Sequence, residues 1–299
     1  MKRLVILFPI LLALVLPVKA DSAGASGGII LRFPVGTRAI GMAGAFTGLA
    51  DDVSSIYWNP AGLCNLNRRE FMASYLEGVM DVRHSFLGYA QKTKWGYMGA
   101  GLSILQAGEA TIYEIDGTTR DVTAGQDYAL SLAFARPARE ELSLGASLKL
   151  LSSKLAEEES AISLSVDLGA FYQTKIKDLT LGFSLLNLGA GMEFKDEADP
   201  LPLTLRLGAA YRYKINPENG LIFATDVVKP NDNDLRLNLG AEYSYKNTFH
   251  GRLGYKIGPD SEGLASGIGF TYRQYRLDYA YSPVEDLESA HRLSLTCGF

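Results

Sequence analysis

Between residues 69 and 299 the chain alternates apolar and polar positions, segment after segment. The stretch 234–246 shows this with the fewest interruptions. Leu235, Leu237, Leu239, Ala241, Tyr243 and Tyr245 fall on one face, and Asp234, Arg236, Asn238, Glu242, Ser244 and Lys246 on the other. A period of two marks a β-strand with one apolar and one polar face. The segment is longer than most soluble strands and suits a tilted bilayer crossing, which takes about 9–11 residues plus its ends.

The same reading places about fourteen strands along the chain. They fall at 69–77, 82–93, 95–107, 125–136, 140–153, 160–173, 178–188 and 201–214, then at 220–229, 233–246, 248–257, 264–273, 274–282 and 290–299. An even number suits a single-chain bacterial barrel. A soluble sandwich would show the same alternation with its charged face outward. Strand length, strand number and tyrosines near strand ends favour the membrane form, an all-β transmembrane barrel.

Turns divide into a short set (94, 137–139 and 247) and a longer, polar set (108–125, 189–199, 258–263 and 283–289), as expected when one rim faces the periplasm. Acidic residues in the longer set, Glu109, Glu114, Asp116, Asp121, Glu193, Asp196, Glu197 and Asp199, are either solvated loop charges or divalent-cation ligands.

The chain starts as a secretory leader: Lys2 and Arg3, an apolar run over 4–18, and Val18-Lys19-Ala20 as a cleavage site. Pro9 and Pro17 interrupt the run, so residues 1–20 are expected to be removed near Ala20, delivering the chain toward the outer membrane. Loss of Lys2, Arg3 and Lys19 takes the formal net charge from −4 to about −7, which argues against a nucleic-acid partner. The 31 glycines and 16 tyrosines fit strand bends and membrane interfaces. Cys64 precedes the strands and Cys297 shares the lipid-side face of Leu293 and Leu295, so the two read as small apolar residues, not a disulfide. The final strand alternates up to Phe299, a terminal aromatic of the kind outer-membrane proteins present to the barrel-assembly machinery.

Residues 21–68 do not alternate. Small residues at close spacing permit tight backbone packing, Asp51 or Asp52 is placed to cap a short helix near Val53, and Asn59-Pro60 ends it. Gly36-Thr37-Arg38-Ala39-Ile40-Gly41-Met42-Ala43-Gly44-Ala45-Phe46, Ala50-Asp51-Asp52 and Trp58-Asn59-Pro60-Ala61-Gly62-Leu63 resemble the amino-terminal signature of the PorV/PorQ family of FadL-like outer-membrane proteins. That resemblance implies a fourteen-stranded barrel with residues 21–68 as a hatch inside the lumen and 69–299 as the wall. Arg38, Asp51, Asp52, Asn59, Pro60 and Ala61 would then be hatch or ligand residues.

The polar face puts Lys149, Asp167, Arg206, Arg212, Arg236, Glu242, Arg252, Arg276, Asp278 and Arg292 inward. They serve either to grip the hatch or, through the arginines, to attract an anionic head group. No catalytic set, metal site or cofactor site is expected: His84, His250 and His291 lie on separate strands. Two functions remain open. One is passive transport of small hydrophobic molecules among the outer-membrane lipids. The other is a PorV-like component of a type IX secretion system that binds exported proteins.

Overall fold

Neighbouring alternating segments pair antiparallel all the way round, and the last closes on the first. The computed structural model describes residues 27–78, 81–113, 118–155, 159–194, 197–258, 263–282 and 290–299. The leader at 1–20, the loop residues Glu114, Asp116 and Asp196, and the turn at 283–289 lie outside the described residues. The wall begins with β1 (Glu70–Glu77), β2 (Arg83–Thr93), β3 (Gly96–Tyr113), β4 (Thr119–Pro137), β5 (Leu142–Leu155), β6 (Glu159–Gln173) and β7 (Leu179–Gly189). A small separate hairpin follows, β8 (Met192–Phe194) with β9 (Glu197–Asp199). The wall resumes with β10 (Thr204–Lys214), β11 (Asn219–Pro230), β12 (Arg236–Tyr245), β13 (Phe249–Ile257), β14 (Leu264–Tyr272), β15 (Tyr275–Ser282) and β16 (Ala290–Gly298). β1 pairs with β2 and with β16, which makes a closed 14-stranded barrel with no free edge.

The alternation has the membrane sense. On β12, Leu239 and Tyr243 are exposed at 40% and 43%, whereas Asn238 and Glu242 are buried at 5% and 3%. Among sheets, only a closed barrel presents its apolar face to lipid and still satisfies every backbone group. One irregularity interrupts the ladder. The β6–β7 register shifts between Val166 and Leu168, and Asn187 adopts φ 65°. Asp167 steadies this bulge by accepting a hydrogen bond from the Asn187 amide at 2.8 Å.

Two expectations need correction. Most of the expected loop at 108–125 is strand: β3 continues to Tyr113 and β4 returns from Thr119, paired as far as Tyr113↔Thr119. Thr111, Tyr113, Val122 and Thr123 carry strand propensity that outweighs the glycines and acids which suggested a turn. Asp121 consequently lies on this ribbon, accepting from the Thr111 hydroxyl at 2.7 Å. Nor does an aspartate cap the helix near Val53. The helix is Ser55–Trp58, its N-cap is Ser54, and Asp52 instead accepts from the Ser54 amide at 2.9 Å, folding the turn before it. Cys64 and Cys297 are both free thiols.

The residues ahead of β1 pack against the inward face of the wall. They form a 3-10 turn at Ile29–Arg32, helix α1 at Thr37–Gly41, helix α2 at Ser55–Trp58, and a 3-10 helix at Pro60–Asn65. α1 lies against β13 to β16 and the last 3-10 helix against β3 to β6, so the segment crosses the lumen. Asn59 starts that 3-10 helix, its side chain accepting from the Ala61 amide at 3.2 Å, with Pro60 at the first position where no donor is needed. The wall side of the apolar contacts is mostly small: Phe46, Leu49 and Trp58 pack on Ala210, Ala224 and Ala280.

Three cross-strand glycine pairs set how closely the segment approaches, one of them Gly240 facing Gly254 under Met42-Ala43. Gly145 faces Gly169, and the backbone of Asn59-Pro60-Ala61 rests on both. Gly182 faces Gly208 under Thr47-Gly48. A Cβ at Gly145 would lie 2.5 Å from the Pro60 carbonyl carbon, and one at Gly208 would lie 2.5 Å from the Gly48 nitrogen. Gly145→Val or Gly208→Val should therefore cost about 1–3 kcal/mol in denaturant unfolding, as overpacking does. Gly220→Ala, which meets nothing within 4 Å, should stay within about 0.5 kcal/mol of the parent.

Candidate functional site in the lumen

Charged side chains form a continuous seam where the segment meets the wall. Arg38, on α1, donates from Nε and Nη2 to the two oxygens of Glu242 at 2.8 and 2.9 Å, a two-pronged pair. Arg252 donates to the same carboxylate at 2.6 Å and to Asp278 at 2.7 Å. Arg276 bridges Asp278 at 2.9 Å and Asp52 at 3.0 Å. Asp51 accepts from Arg38, and from Arg212 at 3.2 Å. Segment and wall thus alternate in sign around one connected network. Burial disfavours the Arg38 charge, but Asp51, Glu242 and Asp52 more than offset it and hold the guanidinium protonated.

A second knot joins Arg206 and Asp226 at 2.8 Å. One Asp226 oxygen also accepts from the Phe46 and Thr47 amides at 3.2 and 3.0 Å and from the Thr47 hydroxyl at 2.6 Å. Arg206 reaches the Gly44 carbonyl at 2.6 Å and lies 4.8 Å above the Trp58 ring, a cation–π contact. Asn59 fastens the other side: its amide donates to Thr47 O at 3.0 Å and to the β6 carbonyl of Ala170 at 3.1 Å. Pro60 and Ala61 contribute by shape, resting on the Gly145–Gly169 pair.

Toward the long-loop rim the segment leaves a cavity of ≈ 220 Å³. Tyr57, Trp58, Ile40, Leu186 and Val228 give it apolar surface, and Lys149, Asn187, Arg206, Arg236 and Arg292 give it polar surface. Lys149 is tied to Asp167 at 2.7 Å and to Asn187 at 2.8 Å. Arg292 donates to Pro34 O at 2.7 Å. Tyr57 donates to Leu31 O at 3.0 Å, and burial pushes its hydroxyl up to about 12, so it remains a neutral donor. Trp58 donates to Val35 O at 2.9 Å.

The residues singled out from sequence fall into three places. Arg38, Asp51, Asp52, Arg252 and Arg276 meet in the first network, while Arg206 and Asn59 hold the middle of the segment. Arg236 and Arg292 line the cavity. Phe299 stands apart at the short-turn rim, its amide donating to Arg69 O at 2.9 Å and its ring stacked on Tyr89 at 6.4 Å. Sequence reasoning missed Asp226 and Glu70, which accepts from the Val53 amide at 3.1 Å. An aspartate inside the apolar run Ile222-Phe223-Ala224-Thr225-Asp226-Val227-Val228 was the available signal. His84, His250 and His291 lie on β2, β13 and β16, and no metal-ligating cluster occurs among the described residues.

The network sets unequal costs for two superficially similar changes. Glu242→Gln leaves two buried guanidiniums without their shared carboxylate and should destabilise the barrel by about 3–5 kcal/mol in denaturant unfolding. Glu218→Gln breaks only the exposed 3.5 Å pair with Lys246 and should cost less than about 1 kcal/mol.

Comparison with known proteins gives the same architecture. The CymD monoaromatic hydrocarbon channel superposes with a TM-score of 0.60 over 89% of this chain and 97% of that one, at 14% identity. The toluene transporter TodX of Pseudomonas putida gives 0.56 over 81% and 92%, also at 14% identity. A FadL homologue of Pseudomonas aeruginosa gives 0.52 over 89% and 98%, at 12% identity. At such identities the likeness is one of fold. In sequence, a UPF0164 protein of Treponema pallidum (strain Nichols) is 28% identical over 182 residues, 56% of this chain but only 45% of that relative's length. Of these, CymD is a hydrocarbon channel and TodX a toluene transporter. The PorV/PorQ-like motifs at 36–63 precede the region that a family model recognises, and it is a different name that this model carries. It matches residues 85–296, and by that match the chain belongs to the type IX secretion system membrane protein family PorP/SprF.

Proposed function

We propose that this outer-membrane barrel admits small hydrophobic molecules, and that residues 21–68 act as the hatch which closes its lumen. The cavity of ≈ 220 Å³ against Tyr57 and Trp58 carries the reading. An apolar cavity of about 150 Å³ already holds benzene, so one ring or a short chain fits here. The polar wall formed by Lys149, Asn187 and Arg206 orients a guest with a polar end. The guest enters from the long-loop rim, rests on Trp58, and leaves when α2 shifts away from β7 and β10, whose Ser184 and Arg206 meet Trp58. Passage follows the concentration gradient. Fold likeness to hydrocarbon channels supports this reading without specifying a substrate.

Family membership favours a second reading, in which the barrel is a type IX secretion component that engages exported proteins at its outer rim. The β3–β4 ribbon supports it, since it rises well past the pairing between β2 and β3, which ends at Arg83↔Gln106.

Trp58 reports on the first reading directly. The chain has two tryptophans, so Trp95→Phe leaves Trp58 as the only indole, excited selectively at the red edge where tyrosine does not absorb. Titrating toluene into this variant in detergent should change its emission saturably, and adding Val228→Phe to fill the cavity should remove the response. A flat titration, together with co-purification of secretion components, favours the second reading.

A further inference from the structure

We infer that the short-turn rim binds an anionic phospholipid, holding its phosphate on Lys246 and Arg273 and its acyl chains in a groove at Gly251. The short turns are all among the described residues, and their charge is unevenly distributed. Around the contiguous arc β12–β13–β14–β15–β16–β1–β2–β3, the turns carry no acidic residue. Glu140, Glu141, Asp178 and Glu218 all sit in turns of the remaining arc. Within the basic arc, cations lie over outward rings: Lys246 over Tyr245 at 5.2 Å, Arg273 over Tyr272 at 5.3 Å, Arg69 over Phe299 at 5.2 Å, and Lys94 over Trp95 at 4.7 Å. Ring and cation at the edge of an apolar band form an amphipathic pair suited to the headgroup level.

Backbone conformation adds a second observation. Lys246 and Arg273 have φ 52° and 54°, left-handed positions that glycine or asparagine occupies with less strain. Cations occupy both tips at a conformational cost. The turns are neighbours, because the Thr271 amide donates to the Thr248 carbonyl at 2.7 Å. Lys246 is also paired with Glu218 at 3.5 Å, with both side chains more than half exposed, a contact that water and salt screen.

Above these tips the wall is indented. Gly251 faces outward between Tyr243 on β12 and Ile268 on β14, and nothing lies within 4 Å of where its Cβ would be. The indentation, ≈ 470 Å³, is bounded by Tyr243, Phe249, Ile268, Phe270 and Leu277 and extends to Tyr245, the ring beneath Lys246. An apolar groove that ends at two neighbouring cationic turns matches a glycerophospholipid, with chains along the wall and phosphate at the rim. An acidic protein would match the cations but not the groove. The short-turn rim faces the periplasm, so the lipid belongs to the inner leaflet.

Native mass spectrometry of the whole barrel, equilibrated with equal amounts of phosphatidylglycerol and phosphatidylethanolamine in mixed micelles, tests this. The barrel should retain phosphatidylglycerol preferentially, by about fivefold for each cation engaged. Lys246→Gln with Arg273→Gln should bring the ratio near one, and Lys175→Gln with Lys177→Gln, in the acidic arc, should leave it unchanged. Lys246→Gly with Arg273→Gly should lose the preference while resisting heat at least as well as the parent, which separates lipid binding from folding. Gly251→Leu should reduce retention of both lipids. Equal retention of the two lipids by the parent would overturn the inference. So would an equal loss from the Lys175/Lys177 variant, or an unchanged ratio in the Lys246/Arg273 variants.

Discussion

The Glu242 carboxylate is shared by two guanidiniums, Arg38 from the amino-terminal segment and Arg252 from the wall, and most of the lumen is organised around that junction. A closed barrel satisfies its backbone without help, but its inward face carries charges that need either water or opposite charges, and the packed segment leaves little room for water. Here most buried charges find an opposite within hydrogen-bond distance, partly on the wall and partly on the segment, while Asp127 is held by the Ser153 hydroxyl. Such pairs add little net stability compared with apolar packing, because desolvating them is costly. Their effect is selective: a segment displaced by one turn would bury charges without partners. The facing glycine pairs act alongside this. Charge pairing sets where the segment sits around the barrel, and Gly145–Gly169, Gly182–Gly208 and Gly240–Gly254 set how close it comes.

The wall was largely legible in the sequence, because lipid demands an apolar outer face and the alternation records it strand by strand. On β12 every residue of the opening pattern faces the way its polarity indicated. The errors came where a local cue competed with a longer-range one. Glycines and acids at 108–125 suggested a loop, although paired neighbours carried the ladder onward. The aspartate near α2 was expected as a helix cap but folds the preceding turn. Partner choice in the lumen was not legible. Arg38 meets Glu242 across 204 residues, and that encounter depends on the stagger of all the intervening strands. Asp226 was missed for a related reason: an isolated acid in an apolar run shows its importance only when Arg206 and the Thr47 amide are brought to it.

The two rims have different chemistry. The long-turn side opens onto a mixed cavity floored by Tyr57 and Trp58, while one arc of the short-turn side is rimmed by cations over aromatic rings. Between them, the proposed hatch is held by groups spread around the wall, among them Glu242, Asp226 and Arg276. A guest that crosses must therefore displace part of the segment while the Glu242 junction keeps the rest in register. Both functional readings require this division, since a transporter must reclose after each passage and a secretion component must hold its barrel shut.

Ion conductance through the purified barrel in planar bilayers tests the clamping of residues 27–68 most directly. The account predicts that the parent protein carries no steady current, and that deleting 36–63, which removes Arg38, Asp51, Asp52 and Asn59 together, yields a stable open pore. A steady current through the parent, equal to that of the deletion variant, would contradict it.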